Sequence, residues 1–203
     1  MRRSLLSLVF TSLAIAWGQV PTQGERDRAL SLLHGSHKEL SDSVIGLTAA
    51  QWKFKPAPEA WSVEEVVEHL VLVETALFQL ASVDAMKTPD ASDAQKAEVR
   101  PKTDIILKVI PERAQKVQTR EQFKPSGKYK TPAEGLAAFK EVRTKTITFI
   151  RETPLPLHDH ILPHPALGPM DAYQWIMFIG AHTERHANQI REVKANPGFP
   201  KGQ

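Results

Sequence analysis

Apolar residues recur at intervals of three and four along four long segments, and this spacing constrains the fold more than any other feature of the sequence. The segments cover about residues 25–50, 62–85, 131–153 and 170–195. A period near 3.6 residues places these side chains on one face of a helix. Because no alternating strand pattern of useful length appears, the sequence predicts an all-α fold, a four-helix bundle with one long irregular crossover.

Capping patterns mark where two of these helices begin. Ser62 precedes the second helix and Glu65 follows three residues later, which is the capping-box arrangement. Thr131 precedes the third helix, and Pro132 occupies its first position, where a missing N–H costs nothing. These patterns predict well-defined helix starts at both places.

The connections between the helices are rich in proline and polar residues. Residues 88–98 (TPDASDAQKAE) predict a polar loop, and residues 103–110 (TDIILKVI) predict a short helix that ends at Pro111. Residues 157–169 (LHDHILPHPALGP) predict an irregular connection before the last helix. The less regular stretch 86–130 is therefore the expected crossover.

The N-terminus has the pattern of a secretory signal peptide. Two arginines precede an apolar run of about a dozen residues, too short to span a bilayer, and small residues follow up to Gly18. We predict a signal peptide at 1–18, a short tail at 19–24 and one helical domain at 25–203, with no stable membrane insertion after cleavage. A buried N-terminal helix is the alternative.

The composition limits the cellular compartments and the binding partners that can be expected for this chain. The chain has 26 basic and 23 acidic residues, without a block of like charge, so nucleic-acid binding is not expected. It has no cysteine, which excludes disulfides and thiolate metal ligands. An exported protein of this kind fits a bacterial periplasm or exterior and depends on a good core for its stability.

Two histidines of the last predicted helix lie on its apolar face. His182 and His186 are about 40° apart around the helix, and they share that face with Trp175 and Ile179. Neutral imidazoles at this spacing can hold one metal ion. His69, on the apolar face of the second helix, is the candidate third ligand, and hydrogen-bonded core histidines are the alternative.

Other histidine arrangements compete with this one. A zincin motif is excluded because Thr183 follows His182 where that motif requires a glutamate. A second candidate metal cluster lies in the predicted connection before the last helix and consists of His158, Asp159, His160 and His164.

Arg143 and Gln189 are candidate substrate contacts. Arg143 lies on the inward side of the third helix, where it could bind an anionic substrate, pair with a buried carboxylate or lie at the edge of the core. Gln189 shares the face of the paired histidines, so it could support a ligand or contact substrate.

Several segments together resemble the DinB-like superfamily of bacterial metal-binding helical bundles. WSVEEVVEHLVLVE (61–74) and HPALGPMDAYQWIMFIGAHTERHANQI (164–190) carry the resemblance, which extends over about residues 25–195. It implies an up-down-down-up order of helices and a three-histidine site for a divalent metal. The ligands would be His69 in VEHL, and His182 and His186 in AHTERH.

The resemblance also implies a range of activities. Members hold zinc or nickel, and some are transferases or isomerases that use small thiols of the reducing cytoplasm. Because export would remove this chain from that compartment, we expect a metal-dependent hydrolase or transferase acting on a small molecule. The alternatives are a non-catalytic metal- or ligand-binding exported protein and a structural helical protein, with a homodimer left open.

Overall fold

The computed structural model describes residues 19–114 and 117–202, and the predicted signal peptide lies outside them. In chain order the helices are α1 (Gln23–Val44), α2 (Ala49–Lys53), α3 (Val63–Gln79), α4 (Asp93–Val99), α5 (Lys102–Val109), α6 (Pro132–Glu152) and α7 (Ala172–Lys194). Two short strands, β1 (Ile161–His164) and β2 (Gly168–Asp171), pair between α6 and α7. The predicted four-helix bundle is confirmed, with α1, α3, α6 and α7 as its long helices.

Contacts near both ends establish that α1 and α7 run in the same direction. The Tyr173 hydroxyl at the start of α7 donates to the carbonyl of Glu25 at the start of α1 (2.9 Å). Near the ends of the same two helices, Arg191 binds the carboxylate of Glu39 (3.0 Å). The first and last long helices are therefore parallel neighbours.

Helices α3 and α6 form the second parallel pair. Near their starts, a Cβ atom placed on Gly135 would lie 3.1 Å from Val67, so glycine permits a close approach of the two helices. Farther along both helices, Glu74 pairs with Arg143 (2.9 Å). Contacts therefore run from the starts towards the ends of both helices, so α3 and α6 are parallel.

The two pairs run in opposite directions. Arg26 at the start of α1 donates to the carbonyl of Ile150 at the end of α6 (2.7 Å), so these helices are antiparallel. The predicted up-down-down-up order is confirmed. Because α3 and α6 are parallel, the chain must return along the bundle between them, and residues 88–131 make this crossover.

Residues 88–92 form part of the predicted loop, but the prediction is wrong for residues 93–98, which are helical. Ser92 accepts a hydrogen bond from the backbone N–H of Gln95 (3.3 Å), and the Gln95 side chain accepts one from the backbone of Ser92 (2.9 Å). This capping box begins α4. The short helix predicted at about 103–110 is confirmed as α5.

The strand pair occupies a connection that was predicted to be irregular. Pro163 faces Pro169 across the antiparallel pair. A two-stranded pair has two free edges, where the N–H that proline lacks is not needed. Gly168 adopts a φ of 68°, the left-handed conformation that glycine tolerates, as the chain enters β2.

Helix α1 is displaced from its predicted bounds at both ends. It begins at Gln23, inside the predicted tail, because Thr22 caps it. It ends at Val44 rather than near residue 50, and Gly46 follows with a left-handed φ of 80°. Thr48 then caps the short helix α2.

One described stretch, Val63–Lys87, is long and apolar enough by length and composition to cross a membrane. It consists of α3 and the two short helical turns that continue it. Its residues Val66, Val67 and Leu70 are buried in the core of the bundle. A core helix of a globular protein can have the same length and composition, and half of the apolar window is buried inside the bundle.

A buried ion pair joins all four long helices in the middle of the bundle. Arg143 of α6 is 0% exposed, and its guanidinium binds both carboxylate oxygens of Glu74 on α3. It also donates to the Leu33 carbonyl (2.7 Å) and the Ser36 hydroxyl (2.8 Å) of α1. A further bond reaches the Thr183 hydroxyl of α7 (2.7 Å), so all five guanidinium N–H groups have acceptors.

Replacing Arg143 with methionine should destabilise the protein strongly, because the Glu74 carboxylate would stay buried without its partner. We expect a loss of about 3–5 kcal/mol in the free energy of unfolding, measured by urea denaturation. The double variant Arg143→Met, Glu74→Met removes both charges and should recover much of this loss.

The control is Lys145→Met, which breaks an exposed helical pair with Glu141 and should change stability little. If the single Arg143 variant and the double variant lost the same free energy of unfolding, the unpaired Glu74 carboxylate would not be the cause of the loss.

Candidate metal centre

The structure brings the three predicted histidine ligands together between α3 and α7. The ring nitrogens offered by His69, His182 and His186 all lie within 4.8 Å of one another. His69 and His186 are buried, with 4% and 7% of their surfaces exposed, whereas His182 is partly exposed. The cluster is therefore open to solvent mainly on the side of His182.

Local structure accounts for how each ring is placed. His182 and His186 are one turn apart on α7, whose start is fixed by a capping box between Asp171 and Gln174. Their ring centroids are 4.4 Å apart. His69 lies in α3 and reaches the pair from the opposite helix, 4.7 Å from the ring of His186.

Hydrogen bonds fix which nitrogen two of the rings present. His69 donates its Nδ1–H to the backbone carbonyl of Phe123 (2.9 Å), which can only accept. His186 directs Nδ1 to Oε1 of Gln189 (2.8 Å), and so donates there as well. Each ring is left with a lone pair on Nε2, the nitrogen that faces the centre of the cluster.

The Gln189 amide is itself oriented by a second residue. Arg113 donates to the same Oε1 atom (3.2 Å), which identifies that atom as the oxygen. The Arg113 guanidinium also binds Glu192 through two bonds of 2.7 and 2.9 Å. Gln189 thus supports a candidate ligand, one of its two predicted roles. Arg113 could not be predicted as part of the site, because no spacing in the sequence relates it to α7.

The donor set fits a divalent cation. Nε2 of His186 lies 3.1 Å from Nε2 of His182, close to the separation of about 3.3 Å between neighbouring nitrogen ligands of a tetrahedral zinc site. Two lone pairs at this distance repel unless a proton or a cation lies between them. With the His69 ring facing the same point, three neutral nitrogen ligands surround one position.

Burial keeps these imidazoles neutral. Although His182 is partly exposed, the protein atoms packed around its ring lower its pKa to about 3, with a smaller contribution from the neighbouring His69. Burial lowers the pKa of His69 despite the opposing hydrogen bond to Phe123, and it lowers that of His186 further, with the help of the other two rings. Neutral imidazole is the form that binds metal, so the lone pairs stay available in mildly acidic solution.

Aromatic rings line two sides of the cluster. Trp61 lies 4.8 Å from the ring of His69 and stacks against His186 at 6.5 Å. Phe178 stacks on His182 at 5.7 Å, with the ring planes 17° apart. Both rings restrict access of water to the site.

Arg143 does not reach the histidine cluster. Of the alternatives that the sequence left open, the structure places it with the buried carboxylate of Glu74, and every N–H of its guanidinium already has a protein acceptor. A fully buried and fully bonded side chain cannot contact a substrate, so we do not retain that role for Arg143.

The alternative cluster in the connection before α7 does not converge. His158 binds Asp171 (2.9 Å) and Asp159 pairs with Lys96 (2.7 Å), whereas His160 and His164 bond mainly to backbone atoms. Among residues 19–114 and 117–202, only the trio of His69, His182 and His186 has the geometry of a metal cluster.

Comparison with known proteins places the chain among similar helical bundles. A family model described as the DinB superfamily matches residues 32–190, a range that includes all three histidines. YuaE, an uncharacterised protein of Bacillus subtilis (strain 168), is 26% identical over 168 residues, which cover 81% of this chain and 96% of YuaE.

One solved structure has the same fold. YfiT from Bacillus subtilis is described as a probable metal-dependent hydrolase with an unusual four-helix bundle topology. It matches with a TM-score of 0.52 over 89% of this chain and 91% of YfiT, at 14% identity. At this identity the likeness establishes the fold alone.

We expect the protein to bind a single divalent ion per chain, measured by calorimetry and elemental analysis of protein purified without a histidine tag. Alanine at His69, His182 or His186 should each abolish tight binding. His164→Ala, in the nearby strand pair, is the control and should bind normally. Affinity should change little between about pH 8 and pH 6, since the lowered pKa values keep the rings neutral. Binding that survives all three substitutions would contradict the site.

Proposed function

The chain belongs to the DinB superfamily, and from this membership and the three converging imidazoles we propose that it is a divalent-metal-dependent enzyme acting on a small molecule. The reaction we propose is hydrolysis or group transfer. The observation that carries the proposal is the convergence of three imidazoles, two of which present an Nε2 lone pair, in a partly enclosed site.

Three protein ligands favour a catalytic rather than a closed structural site. Structural zinc sites use four protein ligands, whereas catalytic sites use three and keep a position for water or substrate. His69, His182 and His186 would hold the ion, and we propose zinc or nickel because imidazole suits both. A bound divalent ion would supply Lewis acidity at this position.

The surrounding residues define what the protein itself contributes. The Phe123 carbonyl and Gln189 hold two of the rings in one tautomer and orientation. Trp61 and Phe178 cover the sides of the cluster and leave an approach near His182. A site this enclosed favours a small substrate over a folded polymer.

A specific observation supports a second candidate, a metal- or ligand-binding protein without turnover. Within the described parts of the chain, the hydrogen bonds of the three rings go to a carbonyl, an amide and one another, and none goes to a carboxylate. A general base is therefore not evident beside the ligands, although one is typical of hydrolytic sites.

Turnover assays separate the two candidates. We expect hydrolysis or transfer with a panel of small esters, amides and thiol conjugates, abolished by a chelator and restored by zinc or nickel. His182→Ala should be inactive and His164→Ala active. Gln189→Ala should lose about 10–100-fold in activity or metal affinity, the usual effect of removing such a supporting contact. Tight metal binding without turnover on any substrate would favour the second candidate.

We propose further that the protein is exported, with cleavage after Gly18. The backbone nitrogen of Gln19, the residue that would become first, lies 2.9 Å from Oδ2 of Asp159. Lys96 contacts the other oxygen of this carboxylate at 2.7 Å. An α-ammonium at Gln19 would form an ion pair with this carboxylate, whereas a peptide N–H offers only a neutral donor, which supports a processed chain at this position.

Export predicts the mass and the location of the mature protein. Expressed with its own N-terminus in a bacterium, the protein should be recovered from the periplasm or medium, with an intact mass corresponding to a chain that begins at Gln19. Val9→Arg, which interrupts the apolar run, should leave the precursor uncleaved in the cell. Uncleaved wild-type protein in the cytoplasm would contradict export.

A further inference from the structure

We propose that Glu68 is a positioning residue for the first metal ligand: its buried carboxylate grips residues 126–128 and so holds the Phe123 carbonyl on Nδ1 of His69. The inference rests on the proposed function, in which His69 is a ligand. It concerns a residue that makes no direct contact with the metal position, and it follows from contacts between α3 and the end of the crossover.

The carboxylate of Glu68 is saturated by one short loop. Oε1 accepts bonds from the backbone N–H of Ser126 (3.0 Å) and from its hydroxyl (2.7 Å). Oε2 accepts bonds from the N–H groups of Gly127 (2.7 Å) and Lys128 (2.8 Å). Glu68 is only 3% exposed, so these four bonds replace water entirely and each is strengthened by the charge.

Residues 126–128 have a backbone conformation that lets them bind one carboxylate together. Gly127 adopts a φ of 76°, which allows successive backbone N–H groups to point towards one anion. Pro125 restricts the backbone immediately before Ser126, so little slack remains between the gripped residues and Phe123. The carboxylate therefore fixes the loop as a unit and not just a single N–H.

The same helical turn receives both ends of this loop segment. Glu68 and His69 are consecutive in α3, so Phe123 bonds to His69 while residues 126–128 bond to its neighbour. Phe123 ends a single 3-10 turn (Glu121–Phe123), and so short a turn takes its position against α3 from the anchors beside it. Loss of the grip should free the carbonyl and release the His69 ring to change its tautomer and orientation.

An amide cannot replace this carboxylate. Glutamine keeps one acceptor oxygen but turns an NH₂ group towards N–H donors, which leaves buried donors without acceptors. Glu64 offers a matched control one turn earlier on α3. It is also nearly buried, with 8% exposed, and its carboxylate lies beside Gly127, yet it takes part in none of the four bonds.

The first test compares metal affinity in Glu68→Gln and Glu64→Gln, by competition with a chromogenic chelator. We expect Glu68→Gln to weaken binding of zinc by about 10–100-fold, the usual effect of disturbing a contact behind a metal ligand. Glu64→Gln should retain the wild-type affinity. Equal affinities in a folded Glu68→Gln variant and the wild type would overturn the proposal.

The second test needs no metal and reads the His69 ring directly. In metal-free wild-type protein, ¹⁵N NMR of the imidazoles should give His69 as the tautomer protonated at Nδ1, and Glu68→Gln should yield a mixture of tautomers. An unchanged His69 signal in the variant would overturn the proposal. Because this measurement is independent of metal binding, a wild-type protein that binds no metal would refute the proposed function alone.

Ser126→Ala provides a milder variant if Glu68→Gln fails to fold. It removes only the hydroxyl bond and leaves the three backbone bonds to Glu68 in place. We expect a smaller change of the same sign in zinc affinity and in the His69 tautomer. A folded Ser126→Ala protein indistinguishable from wild type in both measurements would then overturn the proposal.

Discussion

The bundle depends on the complete satisfaction of one buried charge pair, Arg143 with Glu74. A guanidinium removed from water needs an acceptor for every N–H, and here the acceptors come from α1, α3 and α7. If any of these helices slid along its axis, an N–H group of Arg143 would lose its acceptor, at a cost of about 1–3 kcal/mol for each unpaired group. Thr183 is one of the acceptors and directly follows His182 in the sequence. The ion pair therefore also fixes the axial position of α7 relative to α3.

The candidate metal centre depends on the axial register of the helices that this ion pair defines. His182 and His186 meet because they share one helical turn, and this needs no contact from elsewhere in the chain. His69 comes from another helix, so its meeting with the pair depends on packing. The residues that hold the ligands differ in the same respect. Gln189 lies on the same helix as His186, which it holds, whereas the Phe123 carbonyl that holds His69 comes from the distant crossover.

The sequence predicted what local spacing can encode. Apolar periodicity and capping residues identified the long helices, and their inward histidines identified the candidate ligands. Arg113, Phe123 and Glu68 were not identified because their partners are distant in the chain. The contacts of Phe123 and Glu68 also involve backbone atoms, which carry no residue signature. The strand pair was not predicted, because proline in a segment argues against a strand. Helix α4 was missed although Ser92 and Gln95 form a capping box, since polar composition outweighed that signal.

The parallel packing of α1 with α7 has a consequence for the order of events on the ribosome. Glu25 and Tyr173, which touch across this interface, are 148 residues apart in the chain. At a synthesis rate of about 5–20 residues per second, the nascent chain carries Arg143 for seconds before its last acceptor exists. A metal ion that arrived in that interval would meet His69 alone. The core cannot close and the three histidines cannot meet until the final helix has been synthesised, at the ribosome or after export.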